Sequence, residues 1–134
     1  MKAAETIVHD FVQQWIDKAG QDIEAARHLL KSDFLLPYPV AFHAQQAAEK
    51  YLKAYLVHHQ IEFPKVHDFG PILQLVADID KALADELKIV VELDPYGVTA
   101  RYPGDVPTPL IDEAKRALEV AEIACELILQ KLDD

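Results

Sequence analysis

Residues 41–54 read Ala41-Phe42-His43-Ala44-Gln45-Gln46-Ala47-Ala48-Glu49-Lys50-Tyr51-Leu52-Lys53-Ala54. With Val40 before and Tyr55 after, the positions Ala44, Ala47 and Tyr51 form an apolar seam at steps of three and four. Ala41, Ala48, Leu52 and Leu56 lie beside it, so the pattern predicts a helix from about Pro39 to Gln60. Its small alanines permit close helix approach. The polar positions follow a helical spacing too: His43, Gln46, Lys50 and Lys53 are separated by three, four and three residues, with Gln45 and Glu49 alongside. Such a face presents several donors. Lysines hold phosphate oxygens as point charges, and an imidazole donates a hydrogen bond or moves a proton. The same residues also admit an ordinary reading, in which Glu49 and Lys53 are the favourable i,i+4 pair of an exposed helix and Gln45-Gln46 ties helix to loop.

Working outward, Val8, Val12, Trp15, Ala19, Ile23, Ala26 and Leu30 recur at helical steps and predict a long amphipathic helix over residues 4–31. Ile7 and Phe11 widen its apolar stripe, and Gly20 is a place where it could bend. Pro37 and Pro39 separate this helix from the next or open the first turn of the second. After a short connection from Ile61 to Asp68, Asp68 is placed to cap a helix holding Ile72, Leu75, Val76 and Ile79. Leu83, Leu87, Val90 and Val91 predict a further helix over 81–93, although Ile89-Val90-Val91 also has strand propensity. Residues 94–109 hold four prolines and two glycines and read as a loop of the kind that carries function on a rigid scaffold. Thr108 and Pro109 are expected to cap and open a last helix, with Asp112 and Glu113 at its positive end. Leu110, Ala114, Ala117, Ala121, Ala124, Ile128 and Leu132 are expected to face the core. The fold class is therefore all-α: an up-and-down antiparallel bundle of four to five helices in a single domain, 1–134.

Composition agrees. The 134 residues carry 13 Lys+Arg against 23 Asp+Glu, a formal net charge of −10. An acidic chain is unsuited to tight nonspecific binding of nucleic acid, so contact with RNA must be local. A lone Cys125 closes no intramolecular disulfide and fits a reducing compartment. His9 and Asp10 interrupt any apolar targeting segment, and no stretch approaches the ~18 apolar residues of a membrane span, so a cytoplasmic location without membrane contact is expected.

Two further places could carry chemistry. Arg101, one of three arginines, offers a fork of donors to phosphate or carboxylate, and Tyr102 beside it could stack on a base; equally, Arg101 could tie the loop to an acidic helix. His67 precedes Asp68, which could cap a helix or orient the imidazole. His58 and His59 close the second helix, where positive charge suits the dipole. No paired Cys or His spacing marks a metal site, and no cofactor is expected. Asp68-Phe69-Gly70 imitates a kinase tripeptide without the glycine-rich and catalytic loops that would give it meaning, and no phosphate-cradling glycine loop or nucleophile elbow is present.

Taken in order, these features resemble the HEPN family. The likeness is carried by Trp15, Ala19 and Asp22-Ile23-Glu24-Ala25-Ala26 on the first helix and by the whole of residues 41–54. His67-Asp68 with Leu73, Ala100-Arg101-Tyr102-Pro103, and Glu113-Ala114 with Ala117 and Ala121 complete it. The resemblance implies a helical bundle, frequently a homodimer. It also implies a partner, a minimal nucleotidyltransferase, because small single-domain members are often encoded beside one in toxin-antitoxin pairs. Many members resemble one another as metal-independent ribonucleases whose active Arg is followed four to six residues later by His. Here His28 is adjacent to Arg27, and no His follows Arg101 or Arg116. The expectation is thus a noncatalytic HEPN-type binding module with no catalytic residue, holding nucleotide or RNA phosphate through His43, Gln46, Lys50, Lys53, His67, Arg101 and Tyr102. The alternatives are a ribonuclease toxin with a rearranged pair from Arg101 and His43 or His67, and a purely structural interaction protein.

Overall fold

A computed structural model describes residues 2–32, 36–97 and 108–133. The chain forms α1 (Lys2–Lys31), α2 (Pro37–His58), α3 (Phe69–Ile79), α4 (Lys81–Leu87), a 3-10 helix (Lys88–Tyr96) and α5 (Ile111–Asp133), with no strand among the described residues. This is the all-α bundle that the periodicity predicts.

The second helix is its axis. Every residue of the anticipated seam and its flank is buried, from Val40 and Ala41 through Tyr55 and Leu56. α1 and α5 both pack along α2. Trp15 lies opposite Lys53 while Asp22 meets His43 and Lys50, so α1 and α2 run antiparallel. Arg27 pairs with Glu122 at one end of α1, and Val8 shares a cavity with Leu129 and Leu132 at the other, so α5 is antiparallel to α1 as well. α5 therefore runs in the same sense as α2, because α3, α4 and the 3-10 helix return the chain.

Several boundaries and faces differ from expectation, each for a local reason. α2 starts at Pro37 rather than Pro39, since proline fits a first helical turn where its missing N–H is not needed. It ends at His58, closed by bonds from the Gln60 N–H to Val57 and the Ile61 N–H to Leu56, with Gln60 in the left-handed region at φ 55°. Because α2 stops there, the first turns of α1 reach past it. Ile7 is consequently 68% exposed and Phe11 touches the side of Trp15, so neither joins the core as expected. α1 passes through Gly20 without a break.

The helix expected over 81–93 is two elements. Leu87, Val90 and Leu93 are all buried and three residues apart, the repeat of a 3-10 helix, whereas Val91 is exposed. β-branched crowding and Pro95 oppose continuation as α-helix. α5 begins at Ile111, so Pro109 precedes the helix instead of opening it. Its first turn is closed by Glu113, which accepts the Leu110 N–H at 2.8 Å. Leu110 points outward at 71% exposure, against the expectation that it faces the core.

Asp80 shows how the connections are fixed. It caps α4 by accepting the Leu83 N–H at 3.0 Å and pairs with Lys131 of α5 at 3.1 Å. First the Leu83 bond and then Lys131 hold its carboxyl below the ordinary range. A depressed folded-state carboxyl contributes stability at neutral pH that is lost as pH falls through its folded value. The thermal midpoint of the wild type is accordingly expected to drop more steeply on acidification below about pH 4 than that of Asp80→Asn, measured by circular dichroism. Parallel curves would remove this contribution.

Candidate functional site

The burial that makes α2 an axis also singles out what it leaves accessible. Between Tyr38 and Leu56, only Tyr38, Pro39, Phe42, His43, Gln46 and Lys50 escape burial. Tyr38, Phe42, Gln46 and Lys50 are spaced by four and form one ridge along the helix, with His43 at its side. The ridge is aromatic toward the helix N-terminus and cationic further on.

Two carboxylates anchor this polar face. Asp22, buried on the edge of the α1 seam, takes His43 Nδ1 at 2.9 Å and Lys50 Nζ at 2.5 Å. A carboxylate only accepts, so the His43 Nδ1 carries the proton and its Nε2 is left for another partner. Glu49, also buried, takes His67 Nδ1 at 3.2 Å, Lys53 Nζ at 3.2 Å and Gln45 Nε2 at 3.4 Å. His67 is thus oriented by Glu49, across elements, rather than by its neighbour Asp68. The anticipated Asp68 cap is likewise absent: Asp68 holds the N-cap position of α3 without a side-chain bond, and the Phe69 N–H donates instead to Asp94 at 3.0 Å. Burial pushes the Asp94 carboxyl above its ordinary range, the Phe69 N–H opposing it.

Lys53 and Glu49 do not form the exposed pair of the ordinary reading. Lys53 is 7% exposed, its ammonium 5.9 Å from the Trp15 ring and 5.3 Å from that of Phe63. Its charge is committed to the interior by one carboxylate and two aromatic faces. Gln45 is completely buried. Its Nε2 also reaches the His67 carbonyl at 3.3 Å, its Oε1 accepts from Gln46 at 2.6 Å, and the backbone of Gly97 lies against it. Gln46 and Gln45 thereby join Glu49, Lys53 and His67 in one network, beside the separate cluster of Asp22, His43 and Lys50. Arg101 and Tyr102 lie outside the described residues, four and five positions beyond Gly97.

On formal charges Asp22 offsets Lys50 and Glu49 offsets Lys53, so the described part of the face carries no net positive charge with both imidazoles neutral. Lys50 Nζ nevertheless has three donors, of which Asp22 takes one, and a quarter of its side chain is exposed. Elsewhere, burial and then the Cys125 thiol raise the Tyr51 hydroxyl well above the ordinary range, which keeps it protonated. Among the described residues no group of three or more His, Cys, Asp or Glu side chains could hold a metal ion, and no helix is long and apolar enough to cross a membrane.

Of the eight residues in this network and the cluster beside it, the sequence places seven on or beside the candidate positions and leaves out Asp22. Its signal was available: Asp22 sits beside Ile23 and three or four residues from Ala19 and Ala26, on the margin of a buried stripe. Tyr38 and Phe42 were hidden for another reason, since aromatic residues at helical spacing read first as core.

An all-α bundle whose axial helix exposes one polar and aromatic ridge defines the class of protein. The HEPN domain model matches residues 12–132, and the chain belongs to that family. Comparison with curated proteins and with solved structures returns no match.

Proposed function

We propose that the protein is a noncatalytic HEPN-type binding module that holds a nucleotide or RNA phosphate on the exposed ridge of α2. The observation that carries this reading is that, between Tyr38 and Leu56, the central helix is buried except along Tyr38, Pro39, Phe42, His43, Gln46 and Lys50, and that His43, Gln46 and Lys50 are the polar groups among these. Lys50 supplies a charged donor, and His43 supplies a further donor once its Nε2 is protonated. Asp22 fixes the placement of both. Arg101 supplies the net positive charge that the described residues lack. It stands four positions along the chain from Gly97, which lies beside Gln45, a tether of at most about 14 Å. His67 and Lys53 support the site through Glu49, and Tyr102 shapes its loop side. The family resemblance extends the reading to a homodimer that engages a minimal nucleotidyltransferase in a toxin-antitoxin-like pair, in the cytoplasm.

Calorimetric titration of ATP and of a short single-stranded RNA tests the site. A charge-assisted contact is worth about 1.5–3 kcal/mol, so Lys50→Ala is expected to weaken binding roughly 10- to 100-fold. Arg101→Ala is expected to weaken it at least as much, because the change removes a full charge and a fork of donors. Equal binding by wild type and both variants, or binding by none, removes the reading.

A second reading rests on its own observation. His43 and His67 are each held through Nδ1 by a buried carboxylate, which leaves Nε2 of each as an oriented acid or base. Ribonuclease activity from such a rearranged site predicts RNA cleavage in EDTA that falls by about 10²–10⁴ in His43→Ala or His67→Ala. No cleavage, or cleavage that both variants retain, ends it.

A further inference from the structure

We propose that the ridge reads a base as well as a phosphate: Phe42, backed by Tyr38, is the stacking surface for the nucleobase whose phosphate rests at Lys50. The proposal rests on the phosphate reading above and adds to it the side chains that receive the base.

Three features of the ridge support it. Tyr38 and Phe42 are the large aromatic residues that an otherwise buried helix leaves half-accessible, and they lie on the same i,i+4 row as Gln46 and Lys50. Their rings are 20° from parallel with centroids 6.5 Å apart, and the Phe42 ring meets His43 edge-on at 5.5 Å. Phe42 is thereby steadied from two sides, by Tyr38 and by an imidazole that Asp22 itself pins. A ring fixed before the ligand arrives loses little freedom on binding, which is what a stacking platform requires. Finally, the spacing suits one ligand. Phe42 and Lys50 are eight residues apart, about 12 Å along a helix that rises about 1.5 Å per residue, and the lysine side chain closes part of that gap. Gln46 stands between them.

Stacking is tolerant of sequence, since every base has a π-face, and base–aromatic stacks are strong enough to change affinity about tenfold or more. The chemistry accordingly separates a base-bearing ligand from its base-free anion. The test is calorimetric titration of ATP, UTP and inorganic tripolyphosphate into wild type, Phe42→Leu and Phe42→Tyr. ATP is expected to bind wild type about tenfold or more tightly than tripolyphosphate, with UTP between them. Phe42→Leu is expected to bring ATP to the tripolyphosphate level while tripolyphosphate binding is unchanged, and Phe42→Tyr to restore the difference. Equal affinity of wild type for ATP and tripolyphosphate overturns the stacking role and leaves the phosphate reading standing. Equal weakening of both ligands by Phe42→Leu does the same. Absence of binding by all three ligands overturns the phosphate reading and the stacking role together.

Discussion

Glu49→Leu is expected to destabilise the fold by about 3–5 kcal/mol, the range for removing one partner of a buried ion pair. Lys53 is nearly inaccessible, and Glu49 is the one carboxylate placed on it among the described residues. Without Glu49 the ammonium keeps only the faces of Trp15 and Phe63, at 5.9 and 5.3 Å. Such contacts contribute about 0.5–2 kcal/mol, less than the several kcal/mol that desolvation of the ion costs. Gln45 and His67 also lose their shared acceptor. The reverse substitution, Lys53→Met, leaves Glu49 with both of those donors and is expected to cost less. The double variant Glu49→Leu/Lys53→Met is expected to recover much of the loss, because a buried pair replaced by apolar groups is often near neutral. Urea unfolding of the four proteins checks this order. A Glu49→Leu unfolding free energy within about 1 kcal/mol of wild type would show that Lys53 reaches water.

The second large effect is in the core. Phe69 is the largest fully buried side chain among the described residues, at the first position of α3 where it packs into the apolar core. Truncation to alanine is expected to cost about 3–5 kcal/mol, from lost transfer energy and from the cavity that remains. The position is more sensitive than an ordinary core site because the Phe69 N–H is also the donor that Asp94 caps. A helix start that shifts after truncation disturbs both contacts. Phe69→Leu, which keeps the backbone bond and most of the volume, is expected to lose far less. Guanidinium unfolding separates the two. A loss below about 1 kcal/mol for Phe69→Ala would mean that the surroundings collapse to fill the space.

Phe69 also illustrates what the sequence made legible. Asp68-Phe69-Gly70 attracts notice as a motif imitation, yet its central residue is a core anchor, visible only when α3 and the 3-10 helix meet across 25 residues. Local periodicity served best where one element packs on all sides. Along α2 each residue of the seam is buried, because a helix enclosed by its neighbours needs no knowledge of which face is outermost. It served worst at element ends. Ile7 and Leu110 belong to apolar stripes by spacing, but the partner helix runs out opposite Ile7 and α5 has not begun at Leu110. The repeat of three in Leu87, Val90 and Leu93 was present in the sequence and is masked by the α-helical repeat with which it overlaps.

The candidate site divides in the same way. Spacing alone puts His43, Gln46, Lys50 and Lys53 on one side of α2; the first three are partly exposed and Lys53 is buried. Spacing gives no means of telling Lys50, at the surface, from Lys53, enclosed by Trp15, Phe63 and Glu49, because their difference comes from elements distant in sequence. The partners that orient the imidazoles, Asp22 and Glu49, are likewise a matter of tertiary placement. Arg101 and Tyr102 lie beyond the described residues, so their role is decided by experiment.

The measurement that bears most directly on a ligand site along α2 is nuclear magnetic resonance of the labelled protein during titration with ATP. The expected outcome is that the largest saturable shifts fall on Phe42, His43, Gln46 and Lys50, with the Gln46 side-chain amide and the His43 ring among them. Shifts centred instead on the apolar cleft of Ile7, Phe11 and Phe63, or on Tyr96 and Arg116, would contradict it, as would a spectrum unchanged by millimolar ATP.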